Sequence, residues 1–177
     1  MSNVIGLIET IFLFIFSYIV PKNKNLIIFG SMKGIHISGN PKIFYLYLNS
    51  ISKGKLNLYF FDGYKTNIDN RIKVYGFGFK KYWLILRAKY LIIDACSFDL
   101  GVKGVIFGHF NLIQMWHGEP IKKIGFLSDL YIKRRNKIIL FFEKLEYKTY
   151  KMILSNPGTS KIIEGAFQSK KVFNIGF

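Results

Sequence analysis

Apolar residues fall in short blocks along this chain, and the spacing within a block alternates between two kinds. "NLIIFGS" (25–31), "LNLYFF" (56–61), "IKVYG" (72–76), "YLIIDA" (90–95), "FNLIQMW" (110–116), "YKMILS" (150–155) and "KVFNIG" (171–176) are brief, nearly continuous apolar runs. Such runs predict strands covered on both faces of a parallel sheet. Between them the period lengthens to that of a helix. Phe44, Tyr47, Leu48 and Ile51 recur at i, i+3, i+4, i+7 behind Asn40, a capping type, and Pro41, suited to a first helical position, with Gly54 as the stop. Phe79, Tyr82, Trp83 and Leu86 repeat that spacing. Over 138–150 the pattern puts Ile138, Phe141, Phe142 and Leu145 inward and Glu143, Lys144, Glu146 and Lys148 outward, and a last helix is expected over 157–167. "GVKGVIFGH" (101–109) reads as a glycine-punctuated connection with room for a short strand.

This alternation predicts an α/β fold, a Rossmann-like three-layer sandwich with a mostly parallel sheet, in which ligands bind beyond the carboxyl ends of the strands. It occupies residues 23–177 as one domain. Residues 1–22 contain "VIGLIETIFLFIFSYIV" (4–20), an apolar N-terminal helix that is either core-packed or membrane-associated. The run is slightly shorter than the ~20 residues of a spanning helix and is interrupted by Glu9. It lacks the basic start and small-residue cleavage site of a signal peptide.

Half the residues are hydrophobic and 18% aromatic, which excludes a disordered chain. Twenty-six Lys and Arg against ten Asp and Glu give a formal charge of +16, pointing to a polyanionic partner. No recognition helix or RNA-binding signature accompanies the charge, so nucleic acid is not the expected partner. Cys96, the single cysteine, has no disulfide partner in the chain and reads as a buried thiol. His36, His109 and His117 lack the Cys/His spacing of a zinc site, and no phosphate loop of the Gly-x-x-x-x-Gly-Lys type occurs. Neither a metal nor a cofactor is expected.

The chemistry concentrates at "QMWHGEPIKK" (114–123), where a strand should emerge into the crevice. A mouth-facing His117 can take a proton near neutral pH, Gly118 allows a sharp turn, and Lys122 and Lys123 can hold a phosphate. Lys133, Arg134, Arg135 and Lys137 extend the positive charge. The alternative reading is a hydrogen-bonded structural histidine beside a core tryptophan. "GSMKGIHISGNPK" (30–42) is a second candidate, a loop carrying Lys33 and His36 into a helix whose N-terminal amides suit an anion. Asp94, ending a strand, either orients a partner or caps a loop.

"NLIIFGS", "SGNPK", "AKYLIID", "QMWHGEPIKKIG" and "VFNIGF" together resemble the CDP-glycerol glycerophosphotransferase family, the teichoic acid primases and polymerases. The resemblance spans about residue 24 to 177. It implies one half of a GT-B fold and transfer of glycerol phosphate from CDP-glycerol to a membrane-linked polyol-phosphate or glycan acceptor. By this resemblance His117 is the catalytic base, and Ser38, Asn40, Lys42, Trp116, Gly118 and Lys122, with Lys123 beside them, bind substrate. Pro41 and Pro120 complete the two motifs. Glu119 departs from the family's usual Thr. Gly176 and Phe177 match the start of the family's junction motif, so the expectation is an acceptor-side half that lacks the donor-binding domain and needs it for transfer. The expected location is peripheral, on the cytoplasmic face of an anionic membrane. The competing expectations are a non-catalytic basic module for membranes or anionic polymers, and a different GT-B sugar or sugar-phosphate transferase.

Overall fold

The computed structural model describes residues 2–61, 73–74, 78–102, 104–118 and 120–175. Seven strands form one parallel sheet: β1 (Asn23–Phe29), β2 (Asn57–Phe61), β3 (Lys73–Val74), β4 (Ala88–Ile93), β5 (Leu112–Gln114), β6 (Met152–Ser155) and β7 (Val172–Asn174), in the order β3-β2-β1-β4-β5-β6-β7. The direction of winding reverses between β1 and β4, so the crevice of this sheet lies beyond Phe29 and Ile93. Six helices accompany it: α1 (Ser2–Ile19), α2 (Gly39–Ser52), α3 (Phe79–Arg87), α4 (Asp129–Arg134), α5 (Lys137–Thr149) and α6 (Ser160–Phe167). The expected strand runs and their order are all present, although "IKVYG" falls largely outside the described residues. Residues 105–107 form a 3-10 turn rather than a strand. Helix α4, in the basic stretch before α5, was not anticipated.

Two cores flank the sheet. On one face Phe29 and Phe60 stack at 6.0 Å and meet the ring of Tyr45 from α2. On the other, Ile28, Leu91, Ile93 and Leu112 pack with Leu13 of α1, Ile85 and Leu86 of α3, Tyr150, and Ile163 and Phe167 of α6. Burying an aliphatic side chain of this size stabilises the fold by roughly 1.5–3 kcal/mol, so these two clusters carry most of its stability.

The inward faces of three helices differ from the sequence expectation. In α2 the buried residues are Pro41 and Tyr45, with Phe44 and Leu48 half-buried, while Tyr47 and Ile51 point outward. In α3 Phe79 and Trp83 stack on each other in solvent, and Lys81, Ile85 and Leu86 face in. Lys81 is held by a hydrogen bond from Nζ to the Gly101 carbonyl at 2.6 Å and lies over the Phe61 ring, and burial pushes its ammonium down to about 8. Helix α5 is turned from the expected face: Glu146 is its buried residue and Ile138 and Phe141 are each 64% exposed, while Lys144 and Lys148 point outward as expected. Glu146 Oε1 accepts the Ser97 N–H at 2.6 Å and the fully buried Tyr150 hydroxyl at 3.0 Å. Apolar periodicity identifies a helix, but the polar partners available inside the fold decide which way it turns.

Helix α1 is packed on one side only. Leu13 and Ser17 are buried, Phe12 meets Tyr82, and Tyr82 donates its hydroxyl to Glu9, which accounts for the lone carboxylate in the apolar run. Gly104, at φ 87°, comes so close to Thr10 that a Cβ would lie 2.6 Å from its Cα. Leu7, Ile8, Tyr18 and Ile19 remain exposed. No helix among the described residues is long and apolar enough to cross a membrane. Lys22, just after α1, is committed to the fold, with Nζ donating to the Leu86 carbonyl at 2.7 Å and the ammonium lowered to about 8 by burial.

Candidate functional site

The segment 114–118 leaves β5 at the carboxyl edge of the sheet. Met115 N still donates to Ile93 O at 2.8 Å, and Trp116 then turns the chain with φ 52°, a left-handed conformation uncommon for a residue with a side chain. The turn expected at Gly118 is present, the chain bending at His117 and Gly118 after the left-handed Trp116. A Cβ at Gly118 would meet nothing within 4 Å, so that glycine leaves open space beside the histidine.

Asn40 holds this turn. Its Nδ2 donates to Trp116 O at 2.5 Å, with Met115 O at 3.4 Å, joining the start of α2 to the end of β5. The expected cap is therefore not made: Gly39 begins α2, Ser38 occupies the cap position in extended backbone without a side-chain bond, and Pro41 sits in the first turn. Asn40 stays in the first turn of α2, and its side chain turns away from the helix to supply a donor to two loop carbonyls at the sheet edge. The Trp116 indole packs edge-on against Phe167 at 5.2 Å and is stacked by the His117 imidazole at 4.3 Å.

Asn40, Trp116, His117 and Gly118 share a pocket of about 120 Å³ with Ser155 and Asn156. Of the expected site residues, these four are brought together. Ser155 and Asn156 were missed, although "SNPGT" (155–159) after β6 carries a legible turn signal, and Asn156 Oδ1 accepts the Thr159 N–H at 3.0 Å. Lys122 and Lys123 lie on the other side of Trp116, at a wider cleft of about 750 Å³ walled by Tyr131, Tyr147 and Phe167. Lys42 is exposed on the first turn of α2, and the Ser38 N–H is bound to Ser31 Oγ at 3.0 Å. Glu119 lies outside the described residues.

The second candidate, the 30–42 loop, is already occupied from within. A Cβ at Gly39, where φ is 67°, would stand 2.9 Å from Asp94 Oδ1, so the start of α2 meets the protein's own carboxylate. Asp99, overlooked in the sequence, ties this region together. Its Oδ1 accepts Lys33 N at 2.7 Å, and its Oδ2 accepts the N–H groups of Asp94, Ala95 and Cys96 at 3.1, 2.6 and 3.1 Å. Gly30 passes so near that a Cβ there would overlap the Asp99 carbonyl. Lys33 and His36 are exposed. Burial, then the Asp99 charge, push the Asp94 carboxyl up to about 6, and His117 pulls it down. Burial, then Asp99 and Glu146, push the Cys96 thiol up to about 12, which disfavours a reactive thiolate.

The model of the CDP-glycerol:poly(glycerophosphate) glycerophosphotransferase family matches residues 12–177. A teichoic acid glycerol-phosphate transferase of Staphylococcus aureus is 30% identical over 162 residues, covering 88% of this chain and 41% of that protein. A teichoic acid poly(glycerol phosphate) polymerase of Bacillus spizizenii is 29% identical over 177 residues, with the same coverage. The solved wall teichoic acid polymerase TagF superposes with a TM-score of 0.68 at 19% identity, over 88% of this chain and 39% of that one. A histidine-to-asparagine variant of it soaked with CDPG gives 0.67 at 17%, over 88% and 40%. These likenesses establish the α/β fold as that of part of a GT-B enzyme. The chain spans about two fifths of the length of the curated relatives it matches.

Proposed function

This chain belongs to the CDP-glycerol:poly(glycerophosphate) glycerophosphotransferase family, and from that premise we propose that it provides the acceptor side of a glycerophosphate transfer. The observation that carries the reading is the Asn40 clamp, which fixes a strained Trp116 and presents His117 at the rim of a pocket beyond the carboxyl ends of β5 and β6. On this reading the acceptor's terminal hydroxyl enters that pocket and His117 takes its proton. The oxygen attacks the β-phosphorus of CDP-glycerol, presented by a second half of the enzyme. A new P–O bond forms, the bond from that phosphorus to the bridging oxygen breaks, and CMP leaves. Displacement at phosphorus depends chiefly on positioning and charge stabilisation. Lys122 and Lys123, on the far side of Trp116, suit the phosphates of the acceptor chain.

A chimera in which this chain replaces the matched part of the Staphylococcus aureus relative tests the proposal. It should transfer labelled glycerol phosphate from CDP-glycerol, and His117→Ala should reduce the rate by at least ~100-fold, the low end of a general-base contribution. An undiminished rate in the variant would overturn the role of His117.

The exposed apolar residues of α1 and α5, beside the basic stretch 133–137, favour a peripheral seat on an anionic membrane face. They equally suit the reading of a basic docking module without catalysis. Flotation with vesicles containing phosphatidylglycerol should carry the chain at low salt and release it at high salt. Absence of flotation at low salt would remove the membrane from both readings.

A further inference from the structure

Among the described residues, three buried side-chain atoms at the carboxyl edge of the sheet lack a hydrogen-bond partner, Asp94 Oδ1, Gln114 Oε1 and Trp116 Nε1, and of these only Asp94 is ionisable. Asp94 is 3% exposed, and its Oδ1 is buried without a hydrogen-bond partner among the described residues. An ionised oxygen left this way costs free energy unless another state of the protein supplies a donor. The neighbours of Asp94 indicate where that donor comes from. Gly39 packs directly on its carboxylate, the next residue, Asn40, grips Trp116 O, and Asn40 shares the small pocket with His117. Asp99 and His117 are the charged groups that act on Asp94, the first opposing its ionisation and the second favouring it. The His117 imidazole meanwhile rests against the half-buried Trp116 indole, and His117 itself is exposed.

We propose that Asp94 is the positioning residue for His117: when the imidazole leaves Trp116, the free Asp94 oxygen takes its ring N–H. The ring is then held in one tautomer, with its other nitrogen turned to the acceptor hydroxyl. The proton moves from the hydroxyl to that nitrogen, and the carboxylate stabilises the imidazolium that results. Asp94 touches no substrate. The catalytic consequence rests on the proposed role of His117, but the contact itself does not.

Long-range nitrogen–proton NMR on the full chain, labelled at histidine, reads the contact directly. At a pH above the usual imidazole range, about 8, the His117 ring should show one protonated and one bare nitrogen. Asp94→Leu should average the two nitrogens, Asp94→Asn, whose amide oxygen still accepts, should restore the single tautomer, and His36 and His109 should not change. An identical His117 signature in wild type and Asp94→Leu overturns the proposal. If Asp94→Leu does not fold, the carboxyl titration of wild-type Asp94 serves instead. It should lie at about 6 and move upward in His117→Gln, because the opposing cation is lost. An unmoved titration also overturns the proposal. Neither measurement uses transfer activity, so a negative result leaves the chimera test of His117 to be judged separately.

Discussion

At the carboxyl ends of β1, β4 and β5 the protein buries polar groups, and on the outer faces of α1 and α5 it exposes apolar ones. The two regions depart from the usual partition in opposite directions. In the first, Asp99 (1% exposed) collects four backbone N–H groups and Glu146 (7%) holds Ser97 and Tyr150, so these two buried carboxylates have built donors, while Asp94 Oδ1 has none among the described residues. In the second, Leu7, Ile8, Ile138 and Phe141 have no counterpart within the described fold. Buried carboxylates bonded in this way tie down the backbone at Lys33 and over 94–97, the loops after β1 and β4. Apolar side chains left in water contribute little to folding, and their use must lie outside the domain. On the function proposed above, the first region holds the acceptor and the second meets the membrane.

The comparison breaks first at Asp99. Asp99→Ala leaves four backbone donors unpaired and should cost roughly 3 kcal/mol or more, seen as a fall in the urea midpoint. A loss below about 1 kcal/mol would mean the loops are tied elsewhere. Glu146→Ala, which strands the Ser97 N–H and the Tyr150 hydroxyl, should cost about 2–3 kcal/mol, with Glu146→Gln retaining more of the stability. The Asp94 carboxyl tests the same region through pH. Its folded value, about 6, lies above the ordinary 3.8. The stability it contributes is therefore complete below the ordinary value and is lost as pH rises through the folded one. Asp94→Asn has no such proton, so between those two pH values it should lose less stability than wild type, as equilibrium unfolding at each pH would measure. Equal slopes would place the carboxylate in a wetter setting. Asn40→Ala should cost about 1 kcal/mol and speed hydrogen exchange of the amides around Trp116 while sparing those of β1. The smallest effect on stability belongs to the other region. Phe141→Glu should change it by no more than ~0.5 kcal/mol, yet it should weaken flotation with anionic vesicles; a large destabilisation would show that α5 turns this face inward.

Much of the fold was legible because parallel strands buried on both sides leave unbroken apolar runs, and the seven runs coincide with strands of the sheet, whose order in space the sequence does not state. The 114–118 turn was legible too, since Trp-His-Gly after a strand is a local pattern. Asp99 was not. Its partners at Lys33 and at 94–96 belong to two loops separated by some sixty positions, and nothing near "CSFDL" points to the first of them. Asn40 was recognised as important but given the wrong local task, because a capping residue and a residue reaching across to the loop after β5 look alike in sequence.

The sequence by itself determined the apolar runs that become strands, the alternation of strand and helix and the net positive charge, all of which depend on composition and short-range spacing. The tertiary structure alone decided which faces of α2, α3 and α5 turn inward, that the start of α2 is filled by Asp94, and that Trp116 takes a left-handed conformation ahead of the turn at Gly118. Those outcomes depend on which polar group finds a partner once distant segments meet. A backbone donor or a carboxylate can outweigh the preference of several apolar side chains when the alternative is to bury it unpaired.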